Sequence, residues 1–268
     1  MRKNILFAFC ILSCGAMAQD PTQDPKLTEV WEPNPKVVMP GKLSVEPPSD
    51  ALILFDGKNL SEWQNPQFKG ESTTFDGVTK MLKEWDPNFK HDAAGWSVID
   101  KELVVRPGNG AIETKRSFNN FQLHIEWLAP LATGKEGQGY SNSGIFLMSL
   151  YELQVLNSYQ NPTYSNGQAG SIYKQIMPLA NASRPPGEWQ SYDVVFSAPV
   201  FDMKGALVSP ARVTVFHNGV LIQNNAELKG PTMFIGQSSY ILHPDKMPLR
   251  LQDHGNPIKF RNIWIREL

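Results

Sequence analysis

Apolar and polar side chains alternate along much of the chain. Phe121, Leu123, Ile125 and Trp127 alternate with Gln122, His124 and Glu126. Tyr151, Leu153 and Val155 alternate with Glu152 and Gln154. Successive side chains leave a strand on opposite faces, so each stretch predicts a strand with one apolar and one polar face. Residues 142–156 read as two strands joined by a tight connection near Ser149. Glu152 beside Gln154, close to Asn142-Ser143-Gly144, suits the floor of a polar groove better than an ordinary solvated face.

Other stretches behave alike. Residues 51–55 form a buried strand ended by an Asp56-Gly57 turn, and Trp96–Ile99 with Glu102–Val105 form a hairpin. Residues 111–114 and 189–197 are strands, and Thr79–Glu84 is a short helix. Arg212–His217 and Val220–Gln223 flank Asn218-Gly219, a pair that suits a type I′ turn. Residues 249–255 and 259–266 are expected to close the chain as a hairpin, with Arg250, Gln252 and His254 on one face. The segment 157–188 is long and irregular, and loops of that length are usually functional. No segment sustains a helical period. Short strands with turn signals predict an all-β sandwich of two antiparallel sheets, a jelly roll with a concave polar groove.

The ends of the chain differ from this pattern. Arg2 and Lys3 precede the apolar run Ile5–Leu12 and then Ala16-Met17-Ala18, the layout of a cleavable secretory signal. The run is too short to span a bilayer. Export to the periplasm or medium is therefore expected, with lipid anchoring through Cys14 as the rival reading. Both cysteines, Cys10 and Cys14, lie in this segment, so no disulfide or thiol chemistry is expected in the mature chain. Residues 19–48 carry seven prolines and read as an extended spacer, though Trp31 and Val37–Met39 offer apolar anchors. The expected division is thus a signal at 1–18, a leader at 19–48 and one domain at 49–268.

The 268 residues are 41% hydrophobic and 19% charged, with a net charge of −1, which provides no electrostatic footprint for nucleic acid. The chain lacks a nucleophile elbow, a His-Glu-x-x-His zinc motif, a phosphate loop and a dinucleotide fingerprint, so it is not expected to bind NAD. What remains is polar residues on the minority face of alternating strands: Glu126, Asn142, Glu152, Gln154, Gln252 and His254. Glu152 and Glu126 also have a plain structural reading as surface pairs, and His254 one as a turn-closing group. Asp253 is expected to pair with Arg261. A divalent metal between Glu126, Glu152 and His254 is chemically reasonable, but no ligand spacing supports it and no cofactor is expected.

Six motifs in order give the chain a resemblance. They are Leu54-Phe55-Asp56-Gly57-Lys58-Asn59-Leu60 with Trp63, Asn142-Ser143-Gly144-Ile145, Tyr151-Glu152-Leu153-Gln154-Val155, Gly187-Glu188-Trp189, Leu251-Gln252-Asp253-His254-Gly255 and Phe260-Arg261-Asn262-Ile263. Over 51–268 the chain resembles the 3-keto-disaccharide hydrolase family, also described as a 3-keto-glucoside 1,2-lyase and 3-keto-2-hydroxy-glucal hydratase domain. The resemblance implies a concanavalin-like jelly roll and an exported carbohydrate-active enzyme. It also implies a partner oxidoreductase that first makes a ketone at C3 of a glucoside. That ketone acidifies the C2 hydrogen, so a base can remove it, the C1 substituent leaves, and water adds to the enone. Such chemistry needs a base, an acid and a group that stabilises the enolate. Glu152 is the first candidate base, His254 an acid or base, and Glu126 an alternative base or hydroxyl ligand. Gln154, Asn142 and Gln252 would bind hydroxyls or the C3 oxygen, and Tyr173, with Trp189 second, would give an aromatic wall. Two other readings stay open: a laminarinase-type glycosidase, and a non-catalytic sugar-binding module.

Overall fold

The computed structural model describes residues 24–68, 74–131 and 135–268. The expected signal segment and both cysteines lie outside the described residues. The chain divides into two units, 1–37 and 38–268. In the first, Pro25–Thr28 form a 3-10 turn capped by the Asp24 side chain, which accepts from Lys26 N. Trp31 is 78% exposed there, so it does not act as a buried anchor.

The second unit contains β1 (Leu52–Phe55), β2 (Trp63–Gln64), α1 (Phe75–Glu84), β3 (Ser97–Ile99), β4 (Glu102–Val104), β5 (Ile112–Phe118), β6 (Phe121–Leu128), β7 (Asn142–Leu147) and β8 (Tyr151–Leu156). It continues through β9 (Trp189–Ser197), β10 (Val200–Phe201), β11 (Leu207–Ser209), β12 (Arg212–His217), β13 (Val220–Glu227), β14 (Met247–Leu251) and β15 (Lys259–Glu267). Sheet A runs β13-β12-β9-β6-β15-β4-β3, with β1 also on β15. Sheet B runs β2-β5-β14-β7-β8, and β10 pairs with β11 apart from both. Every pairing is antiparallel, as a jelly-roll sandwich requires.

The core is built from the apolar positions of the alternating strands. Leu123, Ile125 and Trp127 of β6 and Tyr192, Val194 and Phe196 of β9 meet Ile145, Leu147, Tyr151, Leu153 and Val155 of β7 and β8 in one cluster. The buried Tyr192 hydroxyl donates to Gln154 O at 2.9 Å, tying the two sheets together. The tight connection before β8 has left-handed backbone at Met148 and Ser149, and the Asn218-Gly219 turn has it at both positions. The helix begins earlier than the sequence pattern suggests. Thr74 caps it by accepting from Gly77 N, and Val78 and Met81 are its buried residues.

Two expectations are corrected. The strands β14 and β15 are not a hairpin, because β14 sits in sheet B between β5 and β7 while β15 sits in sheet A beside β6. Their connection crosses from one sheet to the other. Asp253 does not pair with Arg261. It accepts from the amides of Gly108, Gly110 and Gly255, closing a turn just past β14.

Candidate active site

Register decides which side chains share the face of sheet B that points away from the core. Directly opposed residues on neighbouring strands project to the same side. Gln64 opposes Glu113, Glu113 opposes Arg250, Arg250 opposes Phe146, and Phe146 opposes Glu152. Beyond β8 the irregular segment continues the sheet, since Ile172 bridges Leu153. Tyr173 therefore faces Glu152, and its amide donates to Glu152 O at 3.1 Å. One row thus reads Gln64, Glu113, Arg250, Phe146, Glu152, Tyr173. The next row holds Gln252, Gly144 and Gln154, with Gln252 N donating to Gly144 O at 2.9 Å.

Glu152 is 4% exposed and held by its surroundings. Its amide donates to Thr232 Oγ1 at 2.9 Å. Its carboxylate lies over Gly144, where an added Cβ would come within 2.6 Å of Oε1. Only glycine leaves that space, which gives the Asn142-Ser143-Gly144 motif a physical reason. Phe146 packs against the same carboxylate region, its ring 3.0 Å from where that Cβ would stand.

The amides are positioned by a residue that the sequence pattern does not single out. Gln138 sits in the Gly-rich loop before β7, and its Oε1 accepts from Gln154 Nε2 at 2.9 Å and from Asn142 Nδ2 at 3.3 Å. Its Nε2 donates to Gly167 O at 2.8 Å. Asn142 N donates to Asn256 Oδ1 at 2.9 Å, joining β7 to the loop after β14. Three further residues join the site without being sequence candidates for it. Arg250, 5% exposed, donates through NH2 to Glu113 Oε2 at 3.3 Å. His91 Nδ1 lies 2.8 Å from Asn65 O and 3.7 Å from Glu113 Oε1. The clue to Arg250 is its place two residues before Gln252 in one alternating strand. Glu113 and His91 leave none, since β5 reads as a polar run and residue 91 as loop.

Glu152, Gln154, Asn142, Gln252 and Tyr173 are therefore brought together. His254 and Glu126 are not in these rows. The β14 strand ends at Leu251, and the Asp253 turn with left-handed Gly255 leaves His254 exposed beside Gly108 and Gly110. Glu126 lies on the outer face of sheet A, where Oε2 accepts from Arg261 Nε at 2.6 Å and Oε1 from Asn262 Nδ2 at 2.9 Å. Arg261 also lies 4.0 Å over the Trp189 ring, which places Trp189 on that face too. With Glu126 and Glu152 on different sheets, the metal set of Glu126, Glu152 and His254 is not assembled. Among the described residues no three His, Cys, Asp or Glu side chains form a metal-binding group.

The outer face of sheet A carries a network of charged groups. His124 is wholly buried, 2.7 Å from Asp193 and 3.6 Å from Glu126, and stacked on Trp264. Burial alone would lower its pKa, but its bond to Asp193 and the nearby Glu126 carboxylate outweigh that and raise it to about 9. Burial would raise the Glu126 pKa, but His124, Asn262 and Arg261 pull it down to about 2. Residues 38–50 cover this face: Val45 O accepts from Asn262 Nδ2 at 3.0 Å and Trp264 Nε1 at 3.1 Å, and Asp50 pairs with Arg266 at 2.9 Å.

Comparison with known proteins shows the family and the fold. Residues 50–266 match the model of the 3-keto-alpha-glucoside-1,2-lyase-like domain. The chain is 24% identical to the 3-keto-disaccharide hydrolase of Bacteroides thetaiotaomicron, over 84% of this chain and 82% of that protein. It is 45% identical to a solved "putative glycosyl hydrolase" of Parabacteroides distasonis, with a TM-score of 0.78 over 91% of this chain and 97% of the other. A second solved protein of the same organism and description shares the fold at 21% identity and a TM-score of 0.53, covering 82% of this chain and 94% of that one.

Proposed function

Because the chain belongs to the 3-keto-alpha-glucoside-1,2-lyase-like family, we propose that its sheet B face cleaves 3-keto-glycosides by proton abstraction and elimination. It is a carbohydrate-active enzyme of the hydrolase type. The observation that carries the reading is the row that sets Glu152 over Gly144, between Phe146 and Tyr173. Glu152 takes the C2 proton of a bound 3-keto sugar. The electron pair moves into the C3 carbonyl as an enolate, and Arg250, two strands away on the same row, supplies positive charge to that side. Collapse of the enolate expels the C1 oxygen, which must gain a proton as it leaves. Tyr173 is the hydroxyl group nearest to Glu152 in register and suits that role better than the exposed His254. Water then adds at C1 and a proton returns to C2, so the sum is hydrolysis. Gln154, Asn142 and Gln252 bind sugar hydroxyls, with Gln138 fixing the first two.

The substrate's ketone implies an oxidoreductase that acts before this enzyme. Export through residues 1–18 fits a glycoside substrate met outside the cytoplasm. No helix among the described residues is long and apolar enough to cross a membrane. Incubation with a 3-keto glucoside and with its unoxidised parent tests the reading. Cleavage of the oxidised sugar alone is expected. Cleavage of the parent would instead assign a conventional glycosidase, and cleavage of neither would favour a binding module.

A further inference from the structure

The row through Glu152 is asymmetric in access. Glu113, Arg250 and Phe146 on one side are 4%, 5% and 8% exposed, whereas Tyr173 on the other is half-buried and Tyr164 beyond it is 41% exposed. Tyr164 and Tyr173 meet hydroxyl to hydroxyl at 2.6 Å, with ring centroids 6.2 Å apart. An exposed aromatic side chain is usually free to turn, but this one is seated. An added Cβ at Gly167 would strike the Tyr164 ring at 2.1 Å, so the ring lies flat on that glycine. The carbonyl of Gly167 in turn accepts from Gln138, the residue that holds Gln154. Lys174 extends the wall, standing 4.0 Å over the Phe234 ring.

We infer that Tyr164 and Tyr173 form the leaving-group subsite, and that it selects leaving groups presenting a flat ring face, whether a second sugar or an aryl group. This rests on the reading of Glu152 as the C2 base. Carbon C1 is bonded to C2, so the departing group must lie within a few ångströms of the Glu152 carboxylate. The other side of the row is closed, since Val78 and Met81 of α1 line with Phe146 and Arg250 a cavity of only about 20 Å³, which has no room for a large substituent. The tyrosine side is open, and a ring held in place before binding loses little freedom when a second ring stacks on it.

The test compares kcat/KM on methyl, phenyl and glucosyl 3-keto-glucosides for wild type, Tyr164→Ala, Tyr164→Leu and Tyr164→Phe. Removing the ring should lower the phenyl and glucosyl values about tenfold relative to the methyl value, any loss common to all three reporting the lost bond to Tyr173. Tyr164→Leu, which keeps bulk over Gly167, should behave like Tyr164→Ala, whereas Tyr164→Phe should keep the wild-type ratios among the three substrates. Equal losses on all three substrates, or no loss on any, would overturn the subsite while leaving the reaction intact. A wild-type enzyme that cleaves none of the three overturns the reaction itself, and the subsite with it.

Discussion

Glu126 and Glu152 stand in near-identical sequence settings, each on the polar face of a strand whose other face is core, yet the fold gives them opposite surroundings. Glu126 meets Arg261, Asn262 and His124, and these hold it as a carboxylate with its pKa lowered to about 2. A group so held is a poor proton acceptor near neutral pH, because a useful general base has a pKa near the working pH. Glu152 lies over a glycine, beside a phenylalanine ring and opposite a tyrosine. The first arrangement fastens residues 38–50 to sheet A. The second leaves the carboxylate among the groups a reaction would use. Alternation places a carboxylate on a face, and its neighbours across the sheet decide what it does there.

The sharpest break of this comparison is a matched pair of amides. Glu152→Gln should lower turnover of a 3-keto glucoside by about a thousandfold with an unchanged unfolding midpoint. Glu126→Gln should leave turnover within a few-fold but lower stability by about 1–3 kcal/mol, since Arg261 and His124 lose a buried partner. The reverse result, read by steady-state kinetics and denaturant melts, would exchange their roles. Next in size is Gly144→Ala. Its Cβ would fall 2.6 Å from Glu152 Oε1, and displacing the carboxylate by such an amount should cost about a hundredfold in kcat.

The pH dependence of stability sharpens the sheet A side. His124 has a raised folded-state pKa, so its contribution is complete below about 6.5 and fades as pH rises through about 9. Glu126 has a lowered one, so its contribution is complete above about 4.5 and fades as pH falls through about 2. Unfolding free energy measured against pH should therefore decline at both ends, and His124→Gln should remove the alkaline decline. The smallest effect is expected of Gln138→Ala. It removes the side-chain acceptor of the Gln154 amide while Asn142 Nδ2 keeps its bond to the backbone carbonyl of residue 138, and should raise KM roughly five- to tenfold.

Much of the sandwich is legible in the chain because its signals are local. Alternation marks β6, β8 and β9, Asn218-Gly219 marks the β12–β13 hairpin, and the tight connection near Ser149 marks the β7–β8 hairpin. The helix starts at Phe75 rather than Thr79, because Thr74, its cap, carries no apolar period. Pairing between distant strands is not written locally. Nothing near Glu126 says that β6 will sit beside β15, or near Arg250 that β14 will lie between β5 and β7. The adjacency of β14 and β15 in sequence therefore reads as a hairpin, although they belong to different sheets. The site divides the same way. Glu152, Gln154 and Asn142 come from one hairpin and are visible together. Gln252 comes just after the distant strand β14, and Glu113 and Gln138 emerge only once the register is known.

The most direct measurement is deuterium content at C2 of the first product formed from a 3-keto glucoside in heavy water. If Glu152 removes the C2 proton, the released 3-keto glucose carries solvent deuterium at C2 from the earliest time points, faster than the free sugar exchanges alone. A product that keeps its original hydrogen there while the glycoside is cleaved would contradict the account.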